Sequence, residues 1–289
     1  MRLGVLFPQT EIGTDPHVIR DFAQAVEALG YDHLVAYEHV LGANTASRPG
    51  WRGPYALPDA FHEPFALFAY LAGITERLEL ATGILILPQR QTVLVAKQAA
   101  QVDLLSGGRL RLGVGIGWNE VEYTALGVDF HRRGAMVAEQ VRVLRALWTQ
   151  ETVTFHGRWH HIEDAGINPL PVQRPIPIWM GGSAEPVLRR IGRLADGWFI
   201  SGRAAIAERA VQIERVRGYA KAAGRDPGEL GFEGRIPAAG TPDDWRRTAE
   251  EWRNAGVTHL SIGTMGARLA TPDDHLKALA RVRDALREL

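Results

Sequence analysis

The sequence predicts a single (β/α)8 TIM barrel. Eight short runs rich in Val, Ile, Leu and Phe alternate with longer amphipathic runs, which is the pattern of parallel strands covered by helices. Eight such units are the number that closes a parallel sheet on itself. The length of 289 residues suits one barrel, and no Pro/Gly/Ser-rich linker divides it, so residues 1–289 read as one domain. An open doubly wound sheet is the competing arrangement.

Each element has its own signal. Strand one is Leu3–Phe7. Asp15 then caps a helix whose first turn holds Pro16 and whose apolar face is Ile19, Phe22, Ala23, Val26 and Leu29, with Gly30 after it. Strand two is His33–Ala36, followed by a helix over Pro64–Ala72 and strand three, Leu78–Leu87. A helix over Thr92–Leu105 stops at Gly107-Gly108. Strand four is Leu110–Val114, with a short helix over Glu120–Leu126. The helix Met136–Trp148 precedes strand five, Ile176–Met180. The helix Pro186–Ala195, strand six at Gly197–Ile200 and the helix Ala205–Ala223 continue the rhythm. Strand seven, Gly231–Gly234, is weak. Thr241-Pro242-Asp243-Asp244 opens a helix to Ala255, His259–Ile262 is strand eight, and Thr271-Pro272-Asp273-Asp274 opens the last helix. Both tetrads put Thr at the N-cap, Pro at N1 and acids at the positive helix end. Two segments exceed ordinary connections and read as functional insertions: Glu38–Glu63 after strand two and Gly127–Pro175 before strand five.

Composition excludes several partner classes. Lys plus Arg and Asp plus Glu are equal at 33 each, and no dense basic run occurs, which argues against nucleic acid and anionic membrane surfaces. With no Cys there is no disulfide and no thiolate metal site. Met1–Val5 runs straight into a strand and no apolar run reaches spanning length, so a soluble cytoplasmic protein is expected. The three lysines, Lys97, Lys221 and Lys277, fall in predicted helices, away from the strand ends where a Schiff base would form.

Residues able to do chemistry gather just after the strands, at the face where barrels place their sites. Glu38-His39 follows strand two, and a His there can exchange a proton near neutrality. Thr82-Gly83-Ile84 puts a glycine inside strand three, a mark of a bulge or of close backbone approach to a ligand. Gly115, Gly117, Trp118 and Asn119 follow strand four. Alternating glycines there expose backbone to a flat ring or phosphate, although the spacing is not that of a dinucleotide fingerprint. Gly181-Gly182-Ser183 opens a helix and offers free amides to an anion. Trp51, Tyr55, Phe61 and His62 enrich the first insertion and could wall a substrate pocket. His160-His161 with Glu163 and Asp164 lacks metal-ligand spacing and reads as surface hairpin, so no metal is expected.

Several stretches in order resemble the luciferase-like monooxygenase superfamily. They are Ala28-Leu29-Gly30-Tyr31-Asp32 with Tyr37-Glu38-His39-Val40, Leu80–Ile84, Ser106-Gly107-Gly108-Arg109 with Leu112–Asn119, Arg133-Gly134 before a Glu139-containing helix ending at Leu147-Trp148, Pro175–Trp179 with Gly181-Gly182-Ser183, and Ala195–Trp198. The branch most similar is that of coenzyme F420-dependent oxidoreductases; the other uses reduced FMN and oxygen. The resemblance implies a cofactor ring at the C-terminal mouth, supported by a strand-three bulge with a cis Gly83–Ile84 peptide. His39 would sit at the reactive ring edge, with Glu38 where many relatives have Asp. Gly115, Gly117 and Asn119 would lie beside ring and tail, and Gly181, Gly182 and Ser183 at the phosphate. Some deazaflavin-dependent relatives carry a Glu acid where this chain has Trp118. Glu120 is two residues away, so their sugar-phosphate chemistry is not expected. The resemblance therefore implies hydride transfer to or from a small organic substrate. FMN-dependent monooxygenation fed by a separate reductase is the alternative, and a non-catalytic flavin-binding barrel is a third reading. A homodimer is a family expectation. A polyanionic deazaflavin tail needs a basic exit, for which Arg48, Arg52, Arg132 and Arg133 lie in the long loops.

Overall fold

The computed structural model describes residues 1–202 and 204–287. Among the described residues eleven strands form: β1 Arg2–Leu6, β2 His33–Ala36, β3 Glu79–Thr82, β4 Leu85–Ile86, β5 Leu110–Gly115, β6 Val153–His156, β7 His161–Ala165, β8 Ile178–Gly181, β9 Gly197–Phe199, β10 Gly231–Pro237 and β11 His259–Gly263. The helices are α1 Pro16–Ala28, α2 Pro64–Ala72, α3 Thr92–Leu105, α4 Glu120–Ala125, α5 Arg133–Thr149, α6 Glu185–Leu194, α7 Ile206–Ala222, α8 Pro242–Asn254 and α9 Pro272–Ala285.

Parallel pairing runs from β3 through β2, β1, β11, β10, β9 and β8 to β5, and β3 pairs with β5 to close the circle. This is the expected eight-stranded barrel. Among the described residues no helix is long and apolar enough to cross a membrane. Thr241 and Thr271 cap α8 and α9 as expected, Thr241 in a full capping box with Asp244.

Three details depart from the sequence reading. Strand three is not continuous over Leu78–Leu87. It breaks at Gly83–Ile84, a cis peptide, and resumes as β4. Ala81 pairs with Arg111 and Leu85 with Val114, so four residues of one strand run against three of the other, as in a bulge. Strand seven is the longest strand of the barrel, Gly231–Pro237, because β9 and β11 pair along it and override the poor strand propensity of its glycines and proline. Within Gly127–Pro175 the hairpin around His160-His161 forms as antiparallel β6–β7, but it does not lie wholly on the surface. Its turn docks on α5 through buried Glu139, which accepts the N–H groups of Arg158, Trp159 and His160 and the His160 ring at 2.8–2.9 Å. His160 is thus turned inward, its other nitrogen 2.6 Å from Thr92 Oγ1, while His161 stays on the surface with His156 and Glu163.

The bore of the barrel is layered. At the N-terminal floor, Arg111 donates to Glu79 and Glu233 at 2.6 Å and lies 4.3 Å over the Trp179 ring. Glu233 also receives His33 at 3.2 Å and the Ser261 hydroxyl. Above this lies an apolar layer of Leu6, Val35, Ala81, Trp179 and Phe199. Trp179 fits because Gly197 and Gly231 face it; a Cβ there would come within 2.3 and 2.2 Å of the indole. The larger core lies between strands and helices, with Phe22, Phe68, Trp148 and Trp198 fully buried. Arg109 staples the floor side by donating to the carbonyls of Ala72, Thr75, Leu78 and Ser106, which gives the Ser106–Arg109 stretch its structural purpose.

Candidate active site

One side of the C-terminal mouth is built from glycines on which isoleucine side chains pack directly. Gly115, Gly117 and Gly181 surround the strand-three bulge. A Cβ at these positions would come within 2.6 Å of Ile84, 2.8 Å of Ile86 and 3.0 Å of Ile84. Gly83 is pressed on Val35 in the same way, at 2.2 Å. Only glycine permits this wall, and Gly117 (φ +62°) and Gly182 (φ +116°) also need its backbone freedom. Thr82 is buried and donates to Gly113 O at 2.7 Å, tying β3 to β5 beneath the bulge. The result is a smooth wall in which partly buried Ile84 lies directly on glycine backbone, a surface that fits a flat tricyclic ring.

His39 stands in an aromatic enclosure. Its ring centroid lies 4.8 Å from Phe61 and 5.3 Å from both Tyr55 and Trp118. Trp51 packs on Trp118 at 5.7 Å, and Gly53 has no side chain because a Cβ would strike Trp118 at 2.3 Å. The sequence-predicted pocket residues Trp51, Tyr55 and Phe61 are therefore brought together with His39 and Trp118. His62 is turned away toward Phe7, 6.0 Å between centroids.

The partner of His39 is one the sequence reading missed. His39 Nδ1 lies 2.9 Å from Glu122 Oε1. Glu122 is fully buried and also accepts from Val40 N at 3.1 Å and from Gln89 Nε2 at 3.1 Å. Burial would raise this carboxyl, but the bonds from His39, Gln89 and the loop amides outweigh it and hold it below its ordinary value. An ionised Glu122 requires Nδ1 of His39 to carry a proton, so Nε2 of the neutral ring is the free acceptor. Nε2 has no protein partner among the described residues. The signal for Glu122 was weak: a carboxylate beside buried Tyr123 in a short helix, just after the glycine loop.

Other predicted residues act as scaffolding here. Both oxygens of Glu38 are taken, one by Ile86 N–H and the other by Arg90, so Glu38 anchors the bulge. Asn119 caps α4 through Val121 N at 3.2 Å and donates to Leu41 O at 3.3 Å, joining Glu122's helix to the His39 loop. Ser183 is exposed and does not cap α6, whose N-cap is Ala184. The preceding turn is pinned by Trp198, which donates to Gly182 O at 2.8 Å. Two further residues of the mouth were not foreseen, Tyr37 and the Arg235 guanidinium stacked 5.2 Å over it. Arg48 is bonded to Asn44 O, Arg132 to Asp129 and Arg133 to Phe130, so three of the four loop arginines already have partners.

Comparison with known proteins decides the family. The luciferase-like monooxygenase model matches residues 1–287. The chain belongs to this family. It is 37% identical over 202 residues to an uncharacterized protein of Mycobacterium tuberculosis, covering 68% of this chain and 69% of that one. It is 31% identical over 236 residues to an FMNH(2)-dependent dimethylsulfone monooxygenase of Pseudomonas putida (80% and 61% covered). It is 31% identical over 222 residues to an F420-dependent glucose-6-phosphate dehydrogenase of Kineococcus radiotolerans (74% and 61% covered). Relatives of this chain thus include one named for reduced FMN and one named for F420.

Proposed function

We propose that the protein is a coenzyme F420-dependent oxidoreductase that exchanges a hydride with a small organic substrate, with His39 handling the accompanying proton. The observation that supports this reading is the pairing of a smooth, glycine-backed wall with a histidine whose tautomer is fixed and whose Nε2 is free. When bound, the deazaflavin supplies two-electron hydride exchange. Gly115, Gly117 and Gly181 would accept its ring, and Gly182 and Ser183 its phosphate.

His39 does the proton work. In the oxidative direction its Nε2 accepts the proton leaving a substrate O–H; in the reductive direction it returns that proton. Glu122 keeps Nδ1–H as donor and stabilises the imidazolium formed in between, the role of the third group in a catalytic triad. Trp51, Tyr55, Phe61 and Trp118 restrict water around the ring and favour an apolar body in the substrate.

Titration of the apo-protein with F420 and with FMN, followed by cofactor and tryptophan fluorescence, tests the cofactor. Binding of F420 with no binding of FMN supports the reading. Binding of FMN, with oxygen consumed after its reduction and no binding of F420, overturns it in favour of a monooxygenase. For the residue, His39→Ala is expected to cut turnover by about 10²–10⁴-fold while keeping F420 affinity, the range of a general acid–base group. Normal turnover in that variant ends the assignment.

A further inference from the structure

A hollow of about 660 Å³ lies between α5 and α6, on the outside of the barrel. It begins two residues after Ser183, where Glu185 and Pro186 start α6. Arg189, Arg190 and Arg193 then follow along the helix at spacings of three and four. From α5, Gly134 and Ala138 leave room and Arg142 adds a fourth cation. The ten residues of α6 make the hollow about 15 Å long.

The charges in it do not balance. Glu185 is the one carboxylate of the lining, and it is bonded to Arg215 and to the Tyr219 hydroxyl of α7, with Arg189 a further 3.8 Å contact. Arg190 donates to Gly134 O at 2.6 Å and has no carboxylate partner among the described residues; its burial pulls its pKa below the ordinary value. Arg142 and Arg193 are exposed and likewise have no carboxylate partner among the described residues. Scattered surface arginines are ordinarily just solvated. These converge on one concavity in a chain of net charge zero, at the end of the turn expected to hold a phosphate.

We propose that this groove receives the anionic tail of the deazaflavin cofactor, the phosphate and the carboxylates beyond it, running from Ser183 along α6. The inference rests on the F420 reading. FMN ends at its phosphate and would leave Arg190 and Arg193 without a partner. It also replaces the loop arginines as the basic exit.

The test compares three probes on the apo-protein by fluorescence titration: F420, the tail-less deazaflavin riboside, and FMN. F420 is expected to bind at least about tenfold tighter than the tail-less compound at low salt, the weight of one charge-assisted contact, and to lose most of that advantage at about 0.5 M salt. The surface double variant Arg142→Gln/Arg193→Gln is expected to lose about tenfold in F420 affinity and none for the tail-less compound; circular dichroism checks that it is folded. Equal affinities for the two deazaflavins, or unchanged F420 affinity in the double variant, overturn the groove while leaving the F420 reading in place. Failure of both deazaflavins to bind, with FMN binding, overturns the F420 reading and the groove together.

Discussion

At the floor of the barrel the bore is filled by charge, with Arg111, Glu79, Glu233, His33 and Ser261 bonded to one another in the dry interior. At the mouth, β5 and β8 end in Gly115 and Gly181, and the Ile84 side chain of the strand-three bulge packs on both. Strand β5 contributes to both ends within a few residues: Arg111 below, then Gly113 and Gly115 above. One end is held by charged hydrogen bonds, the other by an apolar side chain laid on glycine backbone. Barrels separate stability and function along their axis in this way.

The floor is where damage costs most. Arg111→Met removes the cation between buried Glu233 and part-buried Glu79, and breaking a buried pair of this kind is expected to cost about 3–5 kcal/mol of folding stability, read from the urea midpoint. A loss under about 1 kcal/mol would mean that Glu79 and Glu233 are not held charged by Arg111, and would blur the contrast between the ends.

The mouth is expected to respond the other way. Gly115→Ala places a methyl within 2.6 Å of Ile84 Cδ1. Ile84 is only partly buried and can yield toward the mouth, so the stability cost is about 1 kcal/mol. The ring surface is blocked, and cofactor affinity falls at least about tenfold in the same titrations. Unchanged affinity would show that the ring does not rest on this strand.

The smallest effect is the pH response of the floor. Burial, with Arg111 and His33 nearby, lowers His259 from its usual range to about 3. The unfolded chain therefore binds this proton more readily, and stability falls as pH drops from about 6.5 toward 3. Glu233 is buried, which alone would raise it, but Arg111 and His33 hold it well below the carboxylate range, so its contribution disappears below about pH 4.5. His259→Gln is expected to flatten the urea midpoint between pH 6.5 and 4.5 and leave the steeper acid loss. An unaltered slope in that window would assign it to other groups.

The division between the ends also explains what the sequence revealed. Strand–helix alternation, the Thr-Pro-Asp-Asp caps and the glycine-rich strand ends are local signals, and they located the barrel, the glycine wall and His39. Arg111 and Glu233 are 122 positions apart, and His39 and Glu122 are 83 apart. Nothing local marks Glu233 in a Gly-Phe-Glu-Gly strand or Glu122 in a six-residue helix as a partner of either. Only closure of the barrel brings them together. His62 departs for a related reason: residue type suggested a place in the pocket, and the direction of the chain at that point turned it toward Phe7.

The aromatic cover over His39 is joined to the barrel largely by ring contacts, with Trp51 resting on Trp118 across a side-chain-free Gly53. Contacts of that kind carry little directional demand. Replacing one ring by another apolar group alters the shape above the histidine without disturbing the Glu122 bond or the glycine wall below. Under the proposed function, substrate choice would drift in this segment while the histidine pair and the glycine wall stay constant, so that one scaffold would serve many small molecules.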